Sequence, residues 1–186
     1  MIGILALQGG FETHQRKLER MGQKVRLLKL PDELEEIERL IIPGGESTVL
    51  KKLMQFWGWE KAIYDFHESG RAVWGTCAGM ILLASRTGDP RLDGLGLMDI
   101  DIERNGYGTQ LDSFEEGGDV VSGGKTSRTS MVFIRAPRIA RVGEGVEVLG
   151  RLNDEATLVK EGNALASSFH PELCEDTYVE QIFLSV

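Results

Sequence analysis

The sequence predicts an α/β protein with a mostly parallel central sheet, helices on both of its faces and a β-rich C-terminal half. Three observations carry this. Up to about residue 85, short continuous apolar runs alternate with helical periodicities, as expected of strands buried on both faces. Glycine-bearing turns follow those runs: 23 of 186 residues are glycine, about 12% against an ordinary ~7%. Beyond Gly88 the texture changes to β-rich segments separated by further glycine turns.

Ile2–Leu7 is the first strand, ending at Gln8-Gly9-Gly10. Phe11, His14, Leu18 and Met21 then recur at helical spacing until Gly22 stops the helix. Lys24–Leu28 and Arg39–Ile42 are the next strands, the latter halted by Pro43-Gly44-Gly45. Ser47 reads as the cap of a helix whose apolar face is Val49, Leu50, Leu53, Met54 and Trp57. A further helix covers Glu60–Ser69. Ala72–Trp74 is a fourth strand, followed at once by Gly75-Thr76-Cys77-Ala78-Gly79 and the apolar helix Met80–Ala84. The order is β-α-β-β-α-α-β-α. In the second half, Leu97–Arg104, Ser130–Ala136, Val146–Leu152, Ala156–Lys160 and Ala164–Phe169 read as strands. Alternating Asp99, Asp101 and Glu103 turn one face of the first of these toward water. Glu175–Leu184 is a closing helix, and the polar, glycine-rich stretch Glu115–Thr129 is expected to be a mobile loop. Without repeat or linker, residues 1–186 are expected to form a single domain.

The formal charge is 21 − 29 = −8 with no basic block, which excludes nucleic acid or an anionic membrane as the main partner. The longest apolar runs, Ile2–Leu7 and Ala78–Ala84, fall far short of the ~20 residues that span a bilayer. The chain opens without a basic and then apolar leader, and its two cysteines do not make a disulfide scaffold. A cytoplasmic protein with reduced thiols is expected.

The chemistry centres on Gly75-Thr76-Cys77-Ala78-Gly79. A nucleophile on a sharp strand-to-helix turn projects above the carboxyl edge of the sheet, and flanking glycines allow that turn. The following helix N-terminus favours the thiolate of Cys77, and the N–H of Ala78 can face a developing oxyanion. A lone buried cysteine is otherwise a packing residue; the glycine elbow makes this one a candidate nucleophile.

Three histidines compete to be its base. His67, beside Asp65 and Glu68, is expected to be solvated. His14 lies on the apolar stripe of the first helix, as a satisfied, partly buried residue. His170 follows the strand Ala164–Phe169, with Glu172 two residues on. In an extended segment the two side chains point the same way, so Glu172 can accept one ring N–H while the other nitrogen meets Cys77.

Pro43-Gly44-Gly45-Glu46-Ser47-Thr48 is a second glycine loop. As a phosphate cradle it lacks G-K-[ST], and Glu46 repels phosphate. It reads as a rim loop that supplies another oxyanion donor and polar contacts, as a plain turn before a helix cap, or as both at once. Gln8-Gly9-Gly10 lines the same rim.

With Gly75–Gly79 and His170-Pro171-Glu172 in place, the sequence resembles the class I (triad) glutamine amidotransferases. Ala6-Leu7-Gln8-Gly9, Pro43–Thr48, Glu103-Arg104-Asn105, Phe133-Ile134-Arg135-Ala136-Pro137 and Phe169–Leu173 narrow the resemblance to the glutaminase subunits of pyridoxal 5′-phosphate synthases. The likeness runs from Ile2 to the C-terminus. It implies a flavodoxin-like, three-layer α/β/α fold and a glutamine amidohydrolase with Cys77 as nucleophile, His170 as general base and then acid, and Glu172 as its orienter. Gly45, Glu46, Ser47, Arg104, Ile134 and Arg135 would contact glutamine, and the N–H groups of Gly45 and Ala78 would form the oxyanion hole. It implies no cofactor and no metal. The partners implied are L-glutamine and a (β/α)8-barrel synthase subunit, in a large hetero-oligomer that receives the ammonia. A glutaminase serving a different synthase, or a non-catalytic glutamine-binding regulatory subunit, fits the same motifs. Two positions depart from the family pattern: Thr13 precedes His14 where Glu is usual, and Thr109 stands where Arg is usual.

Overall fold

The elements of the first half follow the expected order. A computed structural model describes residues 1–104, 106 and 113–186; Asn105 and Thr109, singled out in the sequence, lie outside the described residues. The chain runs β1 (Ile2–Leu5), α1 (Phe11–Arg20), β2 (Val25–Leu28), β3 (Arg39–Ile42), α2 (Ser47–Trp57), α3 (Trp59–Glu68), β4 (Ala72–Thr76) and α4 (Ala78–Leu83). A 3-10 turn, Pro31–Glu36, sits between β2 and β3. The second half comprises β5 (Ala84–Arg86), β6 (Met98–Glu103), β7 (Ser113–Ser122), β8 (Lys125–Ile134), β9 (Arg138–Val142), β10 (Glu147–Leu152), β11 (Glu155–Glu161) and β12 (Ala164–Ser167). A 3-10 turn, Pro171–Leu173, and α5 (Tyr178–Ser185) close it.

Among the described residues the main sheet is nine-stranded, in the order β2-β1-β3-β4-β12-β11-β10-β7-β8. The run β2-β1-β3-β4-β12 is parallel throughout, the flavodoxin-like order, in which ligands bind beyond the carboxyl ends of the strands. The remaining strands add on antiparallel.

Two cores lie on opposite faces of this sheet, because successive strand side chains point to opposite sides. Leu5, Leu40, Ile42, Val73, Ala164 and Ala166 pack with Leu50, Met54, Ile63, Phe66, Met80 and Leu82 of α2, α3 and α4. Ile4, Ile41, Trp74 and Leu165 pack instead with Leu18 of α1 and with Val179, Ile182 and Phe183 of α5. The result is three layers.

The stretch Glu115–Thr129 is not a mobile loop. It belongs to the long hairpin of β7 and β8, paired from Ser113↔Ile134 to Ser122↔Lys125. Gly123 and Gly124 both have positive φ, 56° and 75°, the conformation that two-residue hairpin turns require. Val120, Met131 and Phe133 are buried on one face, while the other face is wet, as antiparallel sheets permit. Polarity there marked a half-solvated hairpin. β5 and β9 were also not foreseen; with β6 they form a second, three-stranded sheet. On it Arg141 bonds Asp99 and Asp101, and Arg138 bonds Glu103, so the alternating acids of β6 face arginines of β9. No helix among the described residues is long and apolar enough to cross a membrane.

Candidate active site

Three neighbouring parallel strands deliver the key loops to one edge. β3 ends in Pro43-Gly44-Gly45, β4 in Cys77, and β12 leads to His170. Cys77 itself sits at φ 48°, ψ −101°, a region that side-chain-bearing residues rarely occupy. The flanking glycines are demanded by packing: a Cβ on Gly75 would stand 2.5 Å from the carbonyl carbon of Gly79, and one on Gly79 would stand 2.0 Å from Ile42 O. The N–H of Cys77 donates to Ser167 O at 2.8 Å, tying the elbow to β12.

The ten residues to which the resemblance gives triad, oxyanion-hole or glutamine-contact roles all line one cleft of about 400 Å³: Gly45, Glu46, Ser47, Cys77, Ala78, Arg104, Ile134, Arg135, His170 and Glu172. Gln8, Gly9, Gly10 and Thr13 share that wall. A Cβ on Gly44 would stand 2.5 Å from His170 Cε1 and 3.3 Å from Cys77 Cβ, so the loop after β3 closes directly over the reactive pair. Gly44 O accepts from Gly10 N at 3.0 Å. In a trans peptide the Gly45 N–H therefore points to the opposite side.

His170 Nδ1 lies 2.7 Å from Glu172 Oε1. An ionised carboxylate only accepts, so Nδ1 carries the hydrogen and Nε2 is left for the thiol. The reason for this pairing differs from the expected one: Pro171–Leu173 is a 3-10 turn, not an extended segment. Burial works against a charged His170, but its hydrogen bonds with Cys77 and Glu172, and their negative charges, lift its pKa to about 10. Burial likewise opposes ionisation of Glu172, yet the facing His14 and the hydrogen bond with His170 hold its carboxyl below the ordinary range. The turn is anchored from α1, where Lys17 Nζ donates to Pro171 O at 2.6 Å and pairs with Glu180 Oε1 at 2.9 Å.

Several side chains stand elsewhere than expected. Ser47 does not cap α2. Glu46 does, accepting from Thr48 N at 3.2 Å and Val49 N at 2.8 Å, and those two N–H bonds keep its carboxyl low despite the opposing cost of burial. Arg104 donates to Asp89 Oδ2 at 2.7 Å, and Asp89 is held down to about 2 by hydrogen bonds from Arg91 and the charge of Arg104. Arg135 is exposed at the rim in a left-handed conformation, φ 44°. His67 is not solvated: its side chain is 15% exposed, and both ring nitrogens are shielded and accept or donate no hydrogen bond. It lies at the far edge of the sheet, where Asn163 Nδ2 donates to its carbonyl. His14 is fully buried, with Nε2 3.2 Å from Thr76 Oγ1 and 3.3 Å from Glu172 Oε2. Its helical stripe pointed only to packing; the neighbouring glycine loop on the active rim was the available hint of more.

The arrangement suits acyl transfer: a nucleophilic sulfur, a hydrogen-bonded imidazole, an orienting carboxylate and backbone donors around one small cleft. The profile of the SNO glutamine amidotransferase family matches residues 4–186. This chain belongs to that family. The amidotransferase is 45% identical over 190 residues to the protein named pyridoxal 5′-phosphate synthase subunit PdxT of Deinococcus radiodurans, covering 100% of this chain and 96% of that relative. It is 46% identical over 188 residues to the PdxT of Thermus thermophilus, covering 100% and 97%. A solved structure described as a glutamine amidotransferase superposes with a TM-score of 0.93 at 45% identity, over 99% of this chain and 97% of the other.

Proposed function

We propose that the amidotransferase hydrolyses the side-chain amide of L-glutamine and passes the ammonia to a synthase subunit that makes pyridoxal 5′-phosphate. The observation that carries this is the joining of Cys77, His170 and Glu172 at one cleft in a chain whose relatives are named as subunits of that synthase. The whole chain acts as one glutaminase domain. The Cys77 thiolate attacks the amide carbon, and the N–H groups of Ala78 and Gly45 hold the oxyanion. His170 gives its proton to the departing nitrogen, which leaves as ammonia with a γ-glutamyl thioester behind. His170 then takes a proton from water, whose oxygen attacks the thioester and releases glutamate and the thiolate. Arg104 and Arg135 offer guanidinium groups to the α-carboxylate of glutamine, and Glu46, Ser47 and Ile134 complete the substrate wall. Ammonia lost to solvent serves no synthesis, so a synthase must receive it; the family resemblance implies that this partner is a (β/α)8-barrel subunit in a large hetero-oligomer, in the cytoplasm.

The test is ammonia release from glutamine by the purified chain, with and without the barrel synthase of the same cell. Stoichiometric complex formation and glutamine-dependent ammonia release are expected. A chain that binds the synthase and glutamine but releases no ammonia would make it a regulatory subunit instead.

A further inference from the structure

His14 takes no part in the steps above, yet it is 1% exposed and stands directly behind the catalytic carboxylate. Its ring meets Trp74 edge-on, with centroids 5.6 Å apart. Of the two Glu172 oxygens, Oε1 takes the hydrogen of His170 Nδ1, while Oε2 is buried and accepts no hydrogen bond. A buried, ionised oxygen without a donor is costly, and His14 Nε2 is 3.3 Å away. The titratable groups that face His14 are Glu172 and His170 from the 3-10 turn and Lys17 from its own helix. Burial outweighs the attraction of Glu172 and holds the ring below its ordinary pKa, which favours the uncharged form. An uncharged imidazole has a single N–H. Glu172 Oε2 can only accept, and the Thr76 hydroxyl oxygen beside it is able to, so the hydrogen belongs on Nε2.

We propose that His14 is a positioning residue for Glu172: with a hydrogen on Nε2, it shares that hydrogen between Thr76 Oγ1 and Glu172 Oε2, and so keeps the carboxylate ionised and aimed at His170 Nδ1. It acts through Glu172 and does not line the cleft. Because Thr76 immediately precedes Cys77, the same contact ties the nucleophile's strand to α1. Two of the three members of the triad are thus braced by one side chain.

This inference rests on the glutaminase reading, and its test has one arm that needs no turnover. In the synthase complex, His14→Leu removes the donor, and His14→Gln returns an N–H near the position of Nε2. His14→Leu is expected to lower kcat roughly 10- to 100-fold, the range for a hydrogen bond to a charged group, with KM within about twofold because ground-state contacts are untouched. Its acid limb moves to higher pH, since Glu172 without a donor protonates more readily. His14→Gln recovers most of the rate and returns the limb. An unchanged kcat and acid limb in His14→Leu, or equal losses in both variants without a pH shift, overturns the proposal. The second arm is nitrogen NMR of the imidazole rings in the unaltered chain. A hydrogen on His14 Nε2 at about pH 8 is expected; a ring with its hydrogen on Nδ1 alone overturns the proposal even if the variants fail to fold. An unaltered chain without glutaminase activity would count against the function alone.

Discussion

Glu172→Gln removes one negative charge and almost no volume, so its effect reads the carboxylate directly. In the intact site burial disfavours charge on His170, and the hydrogen bonds with Cys77 and Glu172, together with both negative charges, raise its pKa to about 10. An adjacent carboxylate accounts for about 1–3 pH units of such a shift, at about 1.4 kcal/mol per unit. Without it His170 loses its proton at lower pH, and the basic limb of kcat/KM moves toward neutrality by about 1–3 units. A second effect adds to this. The glutamine amide offers an NH2 as well as an oxygen to Nδ1, and a hydrogen on the wrong ring nitrogen costs up to ~10⁴-fold in kcat. The expected drop in kcat is about 10²- to 10⁴-fold, with KM little changed. The assay is ammonia release over a range of glutamine concentrations in the synthase complex, across about pH 6 to 11, so that kcat and kcat/KM are read separately. Activity within a few-fold of the parent, with the basic limb unmoved, would refute the triad and leave a Cys77–His170 dyad.

Cys174→Ser is expected to leave turnover within about twofold of the parent. Burial pushes the Cys174 thiol up to about 11, and its sulfur is already committed to Ser130 O at 3.0 Å; alkylation of Cys174 by a reactive glutamine analogue would contradict this. Lys17→Met should destabilise the fold by about 3–5 kcal/mol near pH 8, because Glu180 is then buried without its cation. Burial raises Glu180 to about 7 from an ordinary 4.5, so the folded chain holds a proton that the unfolded chain has released between those values. The parent should therefore lose stability as pH rises through that window, and the Lys17→Met deficit should shrink near pH 5; thermal melts across pH check both, and a deficit that does not vary with pH would contradict the ion pair.

The parallel half was legible because each strand is a short apolar run and each helix a stripe, so period alone separated them. The site was legible where backbone geometry dictates residue type: only glycine fits at Gly75 and Gly79 against Gly79 and Ile42, so the elbow shows in the string. Of the hairpin over Ser113–Ile134 only the strand from Ser130 was, since the wet face of the rest reads like loop and its pairing lies across a Gly123-Gly124 turn that polarity obscured. Helix caps swap freely among acceptors, which is why Glu46 rather than Ser47 took that place. Contacts between distant segments leave no local mark at all. Asp89 on Arg104, Lys17 on Pro171 and His14 on Glu172 are brought together only by the sheet and α1.

The central claim is that glutamine is cleaved through a thioester on Cys77. The most direct measurement is mass spectrometry of the chain in its synthase complex, acid-quenched during turnover and digested. A γ-glutamyl group on the peptide carrying Cys77, absent from Cys77→Ser and from samples without glutamine, is the predicted result. Glutamine turnover with no adduct on Cys77, or an adduct on Cys174, would contradict the account.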